Sequence, residues 1–441
     1  MEHSSQSVRD ACTSPDALFS TPQDDLLRMI YCEFTHDIDR LKRAYSIRDE
    51  QSISRTRNSP SYILYQADYD EVNRTLVGFL SLRWIHLGQY ENFVGSQPHD
   101  AQLTRESFKW IQEFYNEVIA DSDALYALIT SIIINDLGKD PQLASDYYEM
   151  TGTDIAYLNH DAILLKACQA GLIFSLEKLP PQYKDDLIRG MELGATFNFG
   201  QMAQAENVPA CLSGLYLMKE RPNCFQMRFM EQLLDIAGAA GHMDYTCAKK
   251  LIQPIFDSYR NVYDACQSII AGTSNTRAGY DMILDRRSET LHAVGFRLVD
   301  IGNSEDRALM RLLCMGNVVT HDKASLFQKT WDSLEMSTRR VLVSSLNMDG
   351  RSGEPAVQPT YMPAFLSRIK DERSLTHALC YLARVMTLAL AKPVDPPASV
   401  LVMERSLLGV MKTYVEPGEF DKDPAILDRI DVPEGVVAVT I

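Results

Sequence analysis

Apolar residues recur along this chain at the three- and four-residue spacing of helices, and polar breaks separate one run from the next. Leu26, Ile30 and Phe34 open the series, and Ile38 and Leu41 extend it. After a polar stretch over 48–61 the pattern returns over 71–88, carried by Val72, Leu76, Phe79, Leu80 and Trp84, and again over 104–120. Asp121, Ser122 and Asp123 then supply an N-cap for a helix bearing Leu125, Leu128, Ile129 and Ile132. Further helices are predicted over 154–170, 181–190, 201–218, 225–239, 244–271, 306–315, 323–344 and 375–391. Pro180 and Pro181 mark one start, and Gly190, Gly194 and Gly200 punctuate ends. β-like composition is confined to 340–345 and 436–441. The fold class expected is all-α, a multi-helix bundle with a helical C-terminal part.

Five segments follow from the breaks. Residues 1–24, rich in Ser, Asp and Gln, read as a disordered N-terminus. Residues 25–120 form an N-terminal helical region and 121–220 a helical core. A second helical region covers 221–392 and contains a long Gly- and Pro-rich loop at 347–363. The Pro-rich linker at 393–397 then leads into a C-terminal appendage, 393–441.

Composition narrows the function classes. The 441 residues carry a formal net charge of −16, which opposes non-specific coating of DNA. No apolar run is long enough to span a bilayer, so neither DNA nor a membrane is an expected partner. Nine scattered cysteines without a C-x-x-C pair fit reduced thiols in a cytoplasmic protein. The one basic concentration holds Arg40, Lys42, Arg43, Arg48, Arg55 and Arg57. It reads either as a local RNA-binding patch or as a solvated helix end and loop. Phosphate loops, dinucleotide fingerprints, nucleophile elbows and H-E-x-x-H are all missing from the sequence.

The candidate chemistry centres on Ile132-Ile-Ile-Asn135-Asp136-Leu-Gly-Lys139-Asp140 and on Leu158-Asn159-His160-Asp161. Together these resemble the histidine–aspartate (HD) metalloenzyme superfamily over 125–217, which gives the 121–220 core a degenerate HD-like character. In that superfamily a His-Asp pair binds metal, whereas here Asn135 replaces the His, and Asn is a poor ligand for a transition metal. Where a later metal-binding Asp is due, the sequence offers Glu206. Only Asp136 and His160 survive as ligands, so no bound metal is expected. The residues otherwise read as a buried structural carboxylate, or as a repurposed pocket in which Asp136, Asp140, His160 and Asp161 take a polar or cationic substrate. Two further patches are His242 with Asp244, behind a small-residue turn, and His321 with Asp322, which a helix N-cap at either Thr320 or Asp322 can explain. In the 347–363 loop, Asp349 and Glu354 could clamp a guanidinium through bidentate hydrogen bonds, with Tyr361 beside them; a surface loop is the plainer reading.

Chain length, helical pattern, Asn135–Asp140, Asn159–Asp161 and the Met-Pro-containing loop 347–363 also resemble the arginine-containing cyclodipeptide synthases of fungal secondary metabolism. That resemblance implies an aminoacyltransferase. It would take arginyl-tRNA and a second aminoacyl-tRNA and release an arginine-containing diketopiperazine. Asp136, His160, Asp161 and His242 are then the expected catalytic residues. Asp140, Asp244, Asp349, Glu354 and Tyr361 would bind substrate, and the basic residues from Arg40 to Arg57 would bind tRNA. An aminoacyl ester is already activated, so no cofactor is expected. Two alternatives stand beside it: a divergent HD-type metal-dependent hydrolase or oxygenase, and a non-catalytic helical scaffold.

Overall fold

The computed structural model describes residues 7–45, 58–351, 353–387 and 400–440. Most of them are helical, with one small three-stranded sheet, as an all-α class requires. They fall into two compact units: residues 1–195 with 220–258, and residues 196–219 with 259–441. Each unit closes its core with a segment distant in sequence.

In the first unit the helix Asp70–His86 is buried along nearly its whole length, so it is apolar around most of its circumference. It packs against the helix Pro222–Gly238 with the two backbones almost touching. A methyl group at Gly78 would sit 2.9 Å from the Leu234 carbonyl oxygen, and one at Gly238 would sit 2.2 Å from that of Arg74. Only hydrogen fits at that crossing. The helix Ser122–Ile134 is capped by Asp121, whose carboxylate accepts the Ala124 N–H at 2.8 Å, as the sequence predicted. It is apolar on all sides and ends at Asn135. The 3₁₀ turn Leu137–Lys139 follows, and Asp140 then caps the helix Pro141–Thr151.

The N-terminus departs from the sequence expectation. Helices Val8–Ala11, Pro15–Ser20 and Gln23–Glu33 occupy most of the described part, 7–24, of the segment expected to be disordered, because Val8, Leu18 and Phe19 are buried. The helix expected over 154–170 covers only His160–Gln169. Asp154 instead closes a turn onto the Ala156 N–H, and Asn159 is the cap.

In the second unit a parallel pair, Ala356–Gln358 with Val400–Glu404, extends antiparallel to Val436–Thr440. The segment expected to be an appendage thus supplies two of the three strands, since a lone short strand leaves its backbone unpaired. The 393–397 linker lies outside the described residues. Residues 340–345, β-like in composition, lie inside the helix Met336–Leu346, which buries Leu342 and Leu346 four residues apart. The helix expected over 201–218 breaks into Phe199–Ala203 and the 3₁₀ segment Pro209–Glu220, because Ala205 turns to φ +53°. The helix Thr276–Ala293, absent from the sequence expectation, buries Tyr280, Ile283, Leu284 and Leu291 on one face. Among its buried residues are Thr276, Arg287 and Ser288.

Candidate functional site

The Asn135–Asp140 segment enters a dense ionic cluster inside the first unit. Asp136 is buried, and Lys139 donates to its carboxylate at 2.8 Å. The same ammonium reaches Glu71 at 3.2 Å, and Glu71 also accepts from Arg74 at 2.6 Å. Glu71 and Arg74 lie one turn apart on Asp70–His86, and the glycine crossing carries that turn against Pro222–Gly238. That second helix contributes Arg228, Glu231 and Asp235 at three- and four-residue spacing, hence on one face. Arg228 contacts Glu231 and donates to Asn135 Oδ1 at 3.2 Å. A methyl group at Gly194 would meet the Arg228 guanidinium at 2.6 Å, so this glycine leaves the arginine its place.

The cluster separates two carboxyl groups electrostatically. Burial opposes ionisation of Asp136, but the charges of Lys139 and Arg74 overcome it and hold the group well below the usual carboxylate range. Asp235 feels burial and then the fixed negative charge of Asp136, which together push it up to about 6. Burial would discharge Lys139, and the paired Asp136 and Glu71 reverse that and keep it protonated. Burial also raises Glu231, although Arg228 contacts it. Two carboxyl groups set apart in this way are the ordinary requirement for acid–base work. A narrow crevice with only about 20 Å³ of free room lies beside Asn135, Arg228 and Glu231, walled by Leu187, Met191 and Met227.

His160 and Asp161 join the cluster from the start of their helix. His160 adds to the field at Asp136, and Asp161 to that at Arg228 and Glu231. Gly138 brings them there: a methyl group on it would overlap the His160 carbonyl oxygen at 1.9 Å. His160, Asp161 and Asp235 are half-buried, which places them at the cluster's solvent edge. Glu206 belongs to the second unit and Asp136 to the first. The later-helix carboxylate facing Asp136 is therefore Asp235.

Other expected site residues are engaged elsewhere. Asp140 is fully buried and receives Arg43 at 2.6 and 3.0 Å and Arg40 at 3.1 Å. Its guanidinium partners, Arg40 and Arg43, come from its own unit. Lys42 pairs with Asp39 at 3.0 Å, and Arg48, Arg55 and Arg57 lie outside the described residues. Asp244 binds the loop that follows His242, accepting from Ser96 and from Thr246 at 2.6 and 3.0 Å. His242 is half-buried on that loop. Thr320 caps the His321–Ser333 helix by accepting from the Lys323 N–H, as the plainer reading predicted.

In the second unit Asp349 is clamped by Arg277 at 2.5 Å, and Glu354 is exposed. Tyr361 adopts φ +72° and donates its backbone N–H to Glu206 at 3.0 Å. Among the described residues no group of three or more His, Cys, Asp or Glu side chains is placed to hold a metal.

Glu71, Arg74, Arg228, Glu231 and Asp235 were missed from the sequence. Their signal was a set of charges interrupting otherwise apolar helices at helical spacing. A model for a family of unknown function, DUF6829, matches residues 27–427. No curated protein and no solved structure matches the chain.

Proposed function

We propose a reaction for this chain, which belongs to the DUF6829 family: it joins arginine and a second amino acid, both delivered as aminoacyl-tRNAs, into a cyclic dipeptide. The observation that carries the reading is the Asp136–Asp235 pair, one carboxyl held ionised and the other raised to about 6. In this reading the α-amine of one aminoacyl ester attacks the ester carbonyl of the other. A peptide bond forms, and the tRNA ribose oxygen leaves. The new terminal amine then attacks the remaining ester, closing the ring and releasing the second tRNA.

Each attack needs a group that accepts a proton from the amine and returns it to the departing oxygen. A carboxylate with a pKa near 6 is ionised at neutral pH yet basic enough to accept transiently. Asp235 takes that role. Asp136 positions it: its fixed negative charge raises the basicity of Asp235, while Lys139 and Arg74 keep that charge in place. Asp161, at the solvent edge, is the carboxylate for the substrate guanidinium. Lys139 already supplies cationic charge at Asp136, and an activated ester needs no nucleotide triphosphate.

Mass spectrometry of extracts from a microbial host expressing the chain alone tests the proposal. An arginine-containing diketopiperazine, lost on Asp235→Asn, is expected. Its absence from a host that accumulates folded protein overturns it.

A further inference from the structure

Of the residues predicted to receive tRNA, Arg40 and Arg43 pair with Asp140 and Lys42 with Asp39, and a second group of arginines lies in the second unit. Arginines and aspartates alternate there. Arg351 lies 3.5 Å from Asp349, and Arg277 reaches Asp349 at 2.5 Å and Asp281 at 2.9 Å. Arg307 meets the other oxygen of Asp281 at 2.8 Å. Arg311 completes the group. It and Arg307 both donate to the Leu346 carbonyl, and both lie against the Tyr280 ring at 5.5 and 5.4 Å. Four guanidiniums thus stand against two carboxylates. Arg307 is 1% exposed, and its Nη2 has no hydrogen-bond partner.

Uncompensated guanidinium charge projects its field outward and attracts anions. The ladder reaches the surface at Arg277, half-buried, and at Arg351, whose side chain is 53% exposed. Next to Arg277, the Thr276 N–H donates to the Tyr216 hydroxyl at 3.2 Å, which fixes an aromatic ring that is 48% exposed. Lys219 is exposed three residues on. Arginines to hold phosphates beside an aromatic face to stack a base are the two elements of a single-stranded nucleic-acid site. The sign is opposite to the guanidinium clamp that the sequence suggested at Asp349.

We propose that Arg277, Arg351, Lys219 and Tyr216 dock the single-stranded acceptor end of tRNA. Its phosphate backbone lies along the cations and a base stacks on Tyr216. The inference rests on the aminoacyl-tRNA reading and names the surface that would receive that substrate.

The test uses the full chain and fluorescently labelled tRNA over a salt series. Arg351→Gln and Lys219→Gln, both at exposed positions, are each expected to flatten the slope of log affinity against log salt by about 0.7. Tyr216→Ala is expected to weaken binding roughly tenfold with the slope unchanged. Unchanged slopes in the folded charge variants overturn the docking surface, even if the wild type makes product in a host. Flattened slopes from a wild type that makes no product leave the surface standing and overturn the reaction. Failure of the wild type to bind tRNA overturns both.

Discussion

Asp235 offers a measurable consequence that does not depend on knowing the substrate. Its carboxyl is raised from 3.8 to about 6 by burial and by Asp136. The folded chain therefore holds this proton more tightly than the unfolded chain. The stabilisation this confers is fully present below the unfolded pKa and is lost as pH rises through about 6. A tenfold change in proton affinity is worth about 1.4 kcal/mol, so ionisation of Asp235 costs the folded state about 0.5 kcal/mol at pH 4, about 1.6 at pH 5 and about 3 at pH 8. Asn cannot ionise and escapes this cost. Any constant loss from the replaced oxygen cancels when one pH is compared with another. The stability of Asp235→Asn relative to wild type should consequently rise by about 2.5 kcal/mol between pH 4 and pH 8. Urea unfolding in a Trp331→Phe background isolates the first unit, because Trp84 and Trp110 then remain as reporters and both lie in it. A difference that stays flat with pH, or falls, would refute the charge relation between Asp136 and Asp235.

Three further outcomes follow from the same geometry. Asp136→Asn leaves the buried Lys139 with Glu71 alone, and a loss of about 3 kcal/mol is expected in the same urea assay; an unchanged midpoint would show that the ion pair carries no stability. Gly138→Ala should cost about 3 kcal/mol and abolish product, since its methyl group collides with backbone and not with a movable side chain. A folded, active Gly138→Ala chain counts against the close approach of His160. Product formation should increase as pH rises through about 6, when Asp235 ionises; a rate independent of pH between 5 and 7.5 removes Asp235 as the base.

Much of the fold was legible because helix periodicity is a local signal. Asp121 and Thr320 were read as caps from neighbouring residues alone, and both hold. Thr276–Ala293 is less legible because Arg287 and Ser288 interrupt its apolar face, and 340–345 mislead because Val341 and Val343 are β-formers whose context is a helix. The candidate site was half legible. Asp136, His160 and Asp161 share a short stretch of chain, whereas Glu71, Arg74, Arg228 and Asp235 arrive from helices well separated from it.

The sequence by itself determined the helical class, several helix ends and the exceptional Asn135–Asp140 turn, since each depends on residues within a few positions of one another. Only tertiary structure decided which carboxylates remain for chemistry. Asp140 and Asp349 looked like substrate ligands until arginines of their own units filled them. Asp235 looked ordinary until the crossing at Gly78 and Gly238 set it near the buried Asp136. A carboxyl group's charge is governed by burial and by the nearest opposite charge, and neither is written in the residues adjacent to it.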